Sequence, residues 1–126
     1  MNLIKCNKKY WEFIRLIRTH SKNITGFFSN NNISKEEQIE YMKLNSKYFY
    51  ICLISNVPVG WIKVDSNNEI SYCVHPDFKG KGIGTFMVNE VYSKYDILEA
   101  YVKVNNVASQ KVFEKVGFTK YINYKK

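Results

Sequence analysis

Apolar residues at helical spacing open the chain. Tyr10, Phe13, Ile14 and Ile17 recur every three or four positions, which predicts a first helix over residues 8–20. A stretch rich in Ser and Asn follows and predicts a loop. The predicted order of elements therefore begins with a helix followed by a loop.

A capping-box pattern predicts where the second helix begins. Ser34 is followed three residues later by Glu37, so that each side chain can bond the other's backbone N–H, and the helix is expected to run to about Leu44. Three short apolar segments separated by turn residues then predict an antiparallel meander of strands. Their predicted bounds are residues 48–54, 59–64 and 69–75.

The second half of the chain returns to alternating helices and strands. Apolar spacing predicts a helix over residues 83–95, a strand over 97–104, a helix over 107–116 and a last strand over 118–124. Gly117 stands where a glycine in the left-handed region commonly ends a helix. The order ααβββαβαβ predicts an α/β fold with a mixed central sheet flanked by helices.

Composition bounds the class of protein. A chain of 126 residues with 45% hydrophobic residues predicts one domain over residues 1–126. Its three cysteines form no C-x-x-C pair, so neither a zinc ribbon nor a disulfide framework is expected. We find no signal peptide and no apolar run long enough for a membrane span, which predicts a cytoplasmic protein. The formal charge of +8 favours anionic partners, but the lysines are dispersed.

A run of glycines carries the most specific chemistry. Gly80, Gly82 and Gly84 alternate with other residues between a predicted strand and a predicted helix. Without Cβ atoms such a segment turns tightly and exposes its N–H groups at a helix N-terminus, where a pyrophosphate is favoured. Lys79 and Lys81 add positive charge. The patterns G-x-G-x-x-G and G-x-x-x-x-G-K-[ST] both fail here, and a ligand-free turn is the alternative.

Two segments together resemble the GNAT family of N-acetyltransferases. Residues 75–84, HPDFKGKGIG, resemble the acetyl-CoA-binding motif [QR]-x-x-G-x-[GA] of that family, with Lys79 in place of the usual Gln or Arg. Residues 106–118, NVASQKVFEKVGF, are similar to a second family motif, N-x-x-[AS]-x-x-x-[YF]-E-K-x-G-F. The resemblance implies acetyl-CoA as co-substrate, a small-molecule amine as acceptor and no metal.

The resemblance also implies which residues hold the coenzyme. Backbone groups of Val74 would meet the pantetheine arm and polarise the thioester carbonyl, in an opening between two strands. Asn106, Ser109 and Phe113 would line the same arm. The pyrophosphate would be held by Lys79, Gly80, Lys81, Gly82, Ile83, Gly84 and Thr85.

The catalytic groups are less specified. Glu69 is the candidate base that removes a proton from the amine, and alternation along its strand places it on one face with Ser71 and Cys73. The alternative, given equal weight, is that Glu69 is an exposed glutamate at a turn with no catalytic role. Many family members have a tyrosine as proton donor where this chain has Phe113. Other donors then come into question, namely Tyr72, Tyr124 or water, and Cys73 as an acylated nucleophile is a less favoured route.

The acceptor side rests on a weaker resemblance. Arg18-Thr19-His20 and Phe27-Phe28 resemble elements of family members that acetylate nucleotide-linked amino sugars, with His20 and Phe27 as candidate acceptor contacts. Members that act on protein N-termini are equally similar. Two other classes stay open: an acyl-CoA-binding module without turnover, and a basic nucleic-acid-binding domain, which ranks last because no nucleic-acid motif accompanies the charge. The sequence is compatible with a homodimer.

Overall fold

Four antiparallel strands form the main sheet of the computed structural model, which describes residues 1–27, 32–120 and 123–126. The strands lie in the order β1-β2-β3-β4. Their bounds are Asn2–Lys5 for β1, Phe49–Ile54 for β2, Val57–Val64 for β3 and Ile70–Val74 for β4. The predicted meander is confirmed as β2, β3 and β4, with each bound within two residues of the prediction.

Strand β1 was not predicted. It pairs with β2, with Leu3 opposite Cys52 and Ile4 opposite Ile51. Only four residues long, it has two apolar side chains and no periodicity to detect. Its backbone partners come from nearly fifty residues later in the chain, so no local signal marks it.

Helices α1 and α2 cover one face of this sheet, with bounds Trp11–Thr19 for α1 and Lys35–Asn45 for α2. The predicted capping box is confirmed, because Ser34 Oγ accepts the Glu37 N–H at 3.1 Å and Glu37 Oε1 accepts the Ser34 N–H at 3.1 Å. Ile14, Met42, Ile51 and Trp61 are buried together in the core between these helices and the sheet.

Helices α3 and α4 belong to a second core, with bounds Ile83–Lys94 for α3 and Val107–Val116 for α4. Ile62, Met87 and Phe113 are buried there. The predicted glycine stop is confirmed: Gly117 has φ +121°, and the Phe118 N–H returns to the Phe113 carbonyl at 3.0 Å. The sheet therefore lies between two helical layers, which confirms the α/β fold.

A smaller sheet follows α3, with strand order β5-β7-β6. The bounds are Glu99–Ala100 for β5, Thr119–Lys120 for β6 and Tyr124–Lys125 for β7. An isolated parallel bridge between Glu69 and Glu99 joins it to β4 and makes the arrangement mixed. Among the described residues no helix is long and apolar enough to cross a bilayer.

Two strand predictions in this region had the wrong bounds. The strand predicted over 97–104 pairs only at residues 99–100, because the chain then turns, with the Asn106 N–H donating to the Lys103 carbonyl at 2.9 Å. The last strand, predicted over 118–124, is instead the antiparallel pair β6 and β7, in which Lys120 lies opposite Tyr124. Residues 121–122 lie outside the described part of the chain.

Candidate active site

The main cavity lies where β4 and β5 separate. These strands meet at the bridge between Glu69 and Glu99, and the opening beside it is lined by β4 and by Tyr101 and Val102, which follow β5. The opening has a volume of about 690 Å³ and is bordered by β4, the glycine run and the start of α4. We call it the β4 cavity.

Most of the residues predicted for the site border this one cavity. These are Phe27, Glu69, Tyr72, Val74, Lys79, Gly80, Gly82, Ile83, Gly84, Thr85, Asn106, Ser109 and Phe113. Lys81 and His20 do not line it. Lys81 is exposed, and exposed His20 accepts the Lys22 N–H on Nδ1 at 3.1 Å. The fold thus brings residues from four separate segments of the chain to one place.

The backbone of Val74 is turned toward the cavity side of β4. The His75 N–H donates to the Val59 carbonyl of β3 at 2.8 Å, and bonds to one neighbour alternate along an antiparallel strand. The N–H and carbonyl of Val74 therefore point away from β3. Consistent with this direction, the Val74 carbonyl accepts from Asn23 Nδ2 at 3.1 Å. The Val74 N–H is consequently available at the wall of the opening.

The three glycines have two different reasons to be glycine. Gly80 and Gly82 have φ values of +77° and +80°, which side chains rarely adopt, and a Cβ on either would meet nothing within 4 Å. At Gly84 a Cβ would instead stand 3.0 Å from Cε2 of Tyr72. The first two glycines set the path of the loop, and the third lets α3 pack against Tyr72.

The loop presents the N-terminus of α3 to the cavity. Gly82 is the N-cap residue and has no side chain to cap the first turn, whose N–H groups carry the positive end of the helix dipole. Lys79 adds charge beside it and is held by a bond from Nζ to the Lys22 carbonyl at 3.1 Å. This end of the cavity has the chemistry of an anion site.

The middle of the cavity contains a buried tyrosine. The hydroxyl of Tyr72 shares a hydrogen bond with Ser109 Oγ at 2.9 Å, and its ring meets Phe113 edge-on at 5.9 Å. Burial raises the pKa of Tyr72, although the bond with Ser109 acts in the opposite direction. Because of this raised pKa, Tyr72 keeps its proton at neutral pH. Its partner Ser109 stands in the first turn of α4, where Asn106 Oδ1 accepts the Ser109 N–H at 3.2 Å and so caps the helix.

Glu69 lines the opening at the bridge that joins β4 to β5. Its backbone N–H donates to Asp65 Oδ1 at 3.0 Å, which fixes the turn before β4. Alternation puts its side chain on the face of Ser71 and Cys73, and all three residues line the cavity. A carboxylate thus belongs to the same cavity as the anion site.

The structure disfavours Cys73 as a nucleophile and Tyr124 as a proton donor. Burial raises the pKa of Cys73 to about 12, despite the nearby charges of Lys79 and Arg18, and its Sγ lies 3.6 Å from the Ile17 carbonyl. A thiol held in this form is a poor nucleophile. Tyr124 does not line the cavity, and its hydroxyl bonds Glu114 Oε1 at 3.3 Å.

A second cavity of about 400 Å³ lies between α1, α2 and the sheet, and we call it the α1–α2 cavity. Phe27 and Ser71 line both cavities, so the two meet there. The ring of Phe27 stacks on Trp61 at 6.0 Å, and the guanidinium of Arg18 lies 4.4 Å from the Phe27 centroid. Phe28, the other half of the predicted aromatic pair, lies outside the described residues.

Asn23 is a site residue that sequence reasoning missed. It is buried, and its Nδ2 donates to the carbonyls of Ile17 at 2.7 Å and Val74 at 3.1 Å. It thereby ties the loop after α1 to the end of β4. An asparagine within a polar loop gives no signal of such a role.

We expect Asn23→Ala to weaken acetyl-CoA binding, if the coenzyme uses the Val74 N–H. The buried Ile17 carbonyl and the partly buried Val74 carbonyl would each lose a donor. The free energy of unfolding should therefore fall by about 1–3 kcal/mol, and the Kd should rise roughly tenfold. Calorimetric titration and chemical unfolding measure both. The control is Gln38→Ala, which removes another buried amide that bonds a backbone carbonyl, that of Trp11, at 2.8 Å. An unchanged Kd in Asn23→Ala would count against this role.

Comparison with known proteins identifies the family. The model of the Acetyltransferase (GNAT) family matches residues 11–118. An uncharacterized N-acetyltransferase of Methanocaldococcus jannaschii is 31% identical over 93 aligned positions, which cover 61% of this chain and 41% of that protein. The chain thus spans about two fifths of that relative's length.

Solved structures share the fold. A domain from Methanocaldococcus jannaschii has a TM-score of 0.82 at 20% identity and covers 98% of this chain and 94% of its own. Spermidine N-acetyltransferase from Vibrio cholerae, crystallised with CoA and spermine, has a TM-score of 0.81 at 13% identity, with coverages of 98% and 90%. Because the family model covers most of the chain, the protein belongs to the Acetyltransferase (GNAT) family.

Proposed function

We propose that this protein transfers an acetyl group from acetyl-CoA to a primary amine. The observation that carries the proposal is the pairing of an anion site at Gly82 with the outward-facing backbone of Val74 in one cavity. The pyrophosphate would lie at the N-terminus of α3, and the pantetheine arm would lie along β4. The CoA bound by the spermidine N-acetyltransferase of the same fold supports this assignment.

The reaction proceeds by direct attack. Glu69 accepts a proton from the ammonium group, and the neutral nitrogen then attacks the thioester carbonyl carbon. The Val74 N–H stabilises the oxyanion that forms. As the intermediate collapses, the new C–N bond remains and the C–S bond breaks. The thiolate leaves with a proton from Tyr72, and the amine's second proton passes to solvent. Glu69 then releases its proton to solvent and Tyr72 regains one, which restores both groups.

The acceptor is proposed to be a small amine, with nucleotide-linked amino sugars as one candidate class. The α1–α2 cavity supports a small acceptor because it joins the β4 cavity at Phe27 and Ser71, beside Glu69. A protein N-terminus is the second candidate acceptor. A homodimer and a cytoplasmic location stay predictions.

Tyr72→Phe tests the proton donor. The substitution removes the phenol while keeping the ring that packs on Phe113, and kcat should fall about tenfold to a hundredfold with little change in acetyl-CoA affinity. Ser109→Ala is the matched control, because it breaks the same hydrogen bond but leaves the phenol. Steady-state rates of thiol release measure both. Equal rates in Tyr72→Phe and wild type would leave water as the donor.

The pH profile provides a second test of Tyr72. A tyrosine that donates a proton is active while protonated, and burial raises its pKa above the ordinary value of 10.0. The wild-type rate should therefore stay high through mildly alkaline pH and fall only above that value, whereas the profile of Tyr72→Phe should lack this fall. A wild-type decline centred near neutral pH would contradict the assignment.

A binding module without turnover is the rival function, since Phe113 replaces the usual tyrosine. Phe113 is buried among the rings of Tyr72, Phe118 and Tyr124. The nearby hydroxyl of Tyr72 favours the enzyme, because strand β4 supplies a phenol to the region where helix α4 has Phe113. Acetyl-CoA binding without acetylation of any amine would favour the module.

A further inference from the structure

The α1–α2 cavity is bordered by two cations. Arg18 comes from α1 and lies 4.4 Å from the centroid of Phe27, and Lys63 comes from β3. The Nζ of Lys63 donates to the Tyr41 hydroxyl at 3.3 Å and lies 5.8 Å from the centroid of Phe49. Both cations are thus positioned by aromatic rings on the cavity wall.

The negative charge that lines this cavity already interacts with the N-terminus of α2. Among the described residues that line it, Glu37 is the one carboxylate. Its Oε1 accepts the Ser34 N–H, and this bond is the largest reason that the pKa of Glu37 is lowered. Glu37 also stands in the first turn of α2, where the helix dipole favours it. The cavity therefore has an excess of positive charge and disfavours a polycation.

The environment strengthens the effect of Arg18. Burial lowers the pKa of its guanidinium, yet arginine stays charged at all physiological pH values. A half-buried guanidinium gains more from an oxyanion than an exposed one does, because less water screens the pair. Flat apolar surface from Phe27, Phe49 and Trp61 lies beside it. The wall combines an oxyanion partner with a surface for a planar or apolar group.

The α1–α2 cavity connects with the β4 cavity near the proposed catalytic groups. Ser71 lines both cavities and follows Glu69 by two residues on the same face of β4. A molecule held in the α1–α2 cavity can therefore extend its amino group past Ser71 toward Glu69 and Val74. A volume of about 400 Å³ is adequate for an amino acid or a sugar phosphate.

We propose that the α1–α2 cavity binds the acceptor through an oxyanion held by Arg18 and Lys63. The enzyme then acetylates primary amines that also carry a carboxylate or a phosphate, and it discriminates against polyamines. This inference rests on the proposed function, since it names the substrate class of the same reaction. Arg18 is the specificity-determining residue, because a planar guanidinium matches the geometry of a carboxylate or a phosphate better than the ammonium of Lys63 does.

Matched pairs of amines test the proposal. Phenylalanine is compared with phenethylamine for the carboxylate, glucosamine phosphate with glucosamine for the phosphate, and spermidine represents the polycations. We expect kcat/KM for the anionic member of at least one pair to exceed that of its neutral partner by about tenfold or more, and spermidine to be the poorest substrate. The pair with the larger ratio identifies the oxyanion. Equal rates within both pairs, or a preference for spermidine, would overturn the proposal.

Arg18→Gln links the preference to the cavity. The variant should lose the preference through a higher KM for the anionic amine, while its KM for acetyl-CoA stays unchanged. Lys47→Gln is the matched control, because Lys47 is an exposed cation that lines neither cavity. A preference that survives in Arg18→Gln would contradict the assignment.

A binding measurement separates this inference from the proposed function. The wild-type protein is saturated with CoA and titrated with each amine by calorimetry. Tighter binding of the anionic members, lost in Arg18→Gln, supports the oxyanion site even if no amine is acetylated, in which case the proposed function fails alone. Turnover of amines with no preference for an anionic group sinks the inference and leaves the proposed function standing.

Discussion

Gly82→Val is expected to raise the Kd for acetyl-CoA by about tenfold or more, which is a loss of about 1.4 kcal/mol or more. Gly82 has φ +80°, a region in which a β-branched residue is an outlier. The loop would leave this conformation and turn the N–H groups of the α3 N-terminus away from the pyrophosphate. A Cβ there meets nothing within 4 Å, so the new side chain would also project into the space that the ligand requires. Calorimetric titration measures the change.

Asn56→Val is the matched control for strain. Asn56 also has a positive φ, +65°, but it lies in the turn between β2 and β3 and lines neither cavity. Both variants should lose about 1–3 kcal/mol in free energy of unfolding, and only Gly82→Val should lose affinity. Similar losses of affinity in both would mean that general destabilisation, and not the loop, explains the result. Wild-type affinity in Gly82→Val would sink the pyrophosphate assignment.

Glu69→Gln is expected to lower kcat about a hundredfold at neutral pH. An alkyl amine has a pKa of about 10, so nearly all of it is protonated there and needs a base before attack. The difference in kcat between Glu69→Gln and wild type should shrink as the pH rises toward the pKa of the amine, because the amine then binds already deprotonated and needs no base. Thiol release followed across pH measures this convergence.

Glu40→Gln is the control for the removal of a carboxylate. Glu40 lies on the surface of α2 and pairs with Lys43 at 3.0 Å, an exposed contact that adds little stability. Its variant should behave like wild type at every pH. A Glu69→Gln profile that runs parallel to wild type, with no convergence at high pH, would remove Glu69 as the base.

Local signals predicted the parts of the fold that depend on neighbouring residues. The capping box of Ser34 and Glu37 and the stop at Gly117 are both found as predicted, because each needs only a few consecutive residues. Strand β1 pairs with β2, and β7 pairs with β5, so that each depends on a partner far along the chain. Sequence periodicity cannot contain such pairings, and both were missed for that reason.

The candidate site divides in a similar way. The glycine run and the segment beginning at Asn106 were found by motif spacing, and the structure brings both to the β4 cavity. The role of Asn23 in holding Val74, and the joining of two cavities at Ser71, arise only when the loop after α1 packs against β4. Tertiary packing creates these relations, so no single segment reveals them.

The most direct test of the central claim is an acceptor-dependent thiol-release assay with acetyl-CoA, coupled to mass spectrometry of the amine. We predict that each thiol released is matched by one acetylated amine, that the rate saturates with both substrates, and that Gly82→Val raises the KM for acetyl-CoA. Tight binding of acetyl-CoA with no thiol release above the protein-free rate, for carboxylate, phosphate, neutral and polycationic amines alike and for peptide N-termini, would contradict the claim that this protein is an N-acetyltransferase.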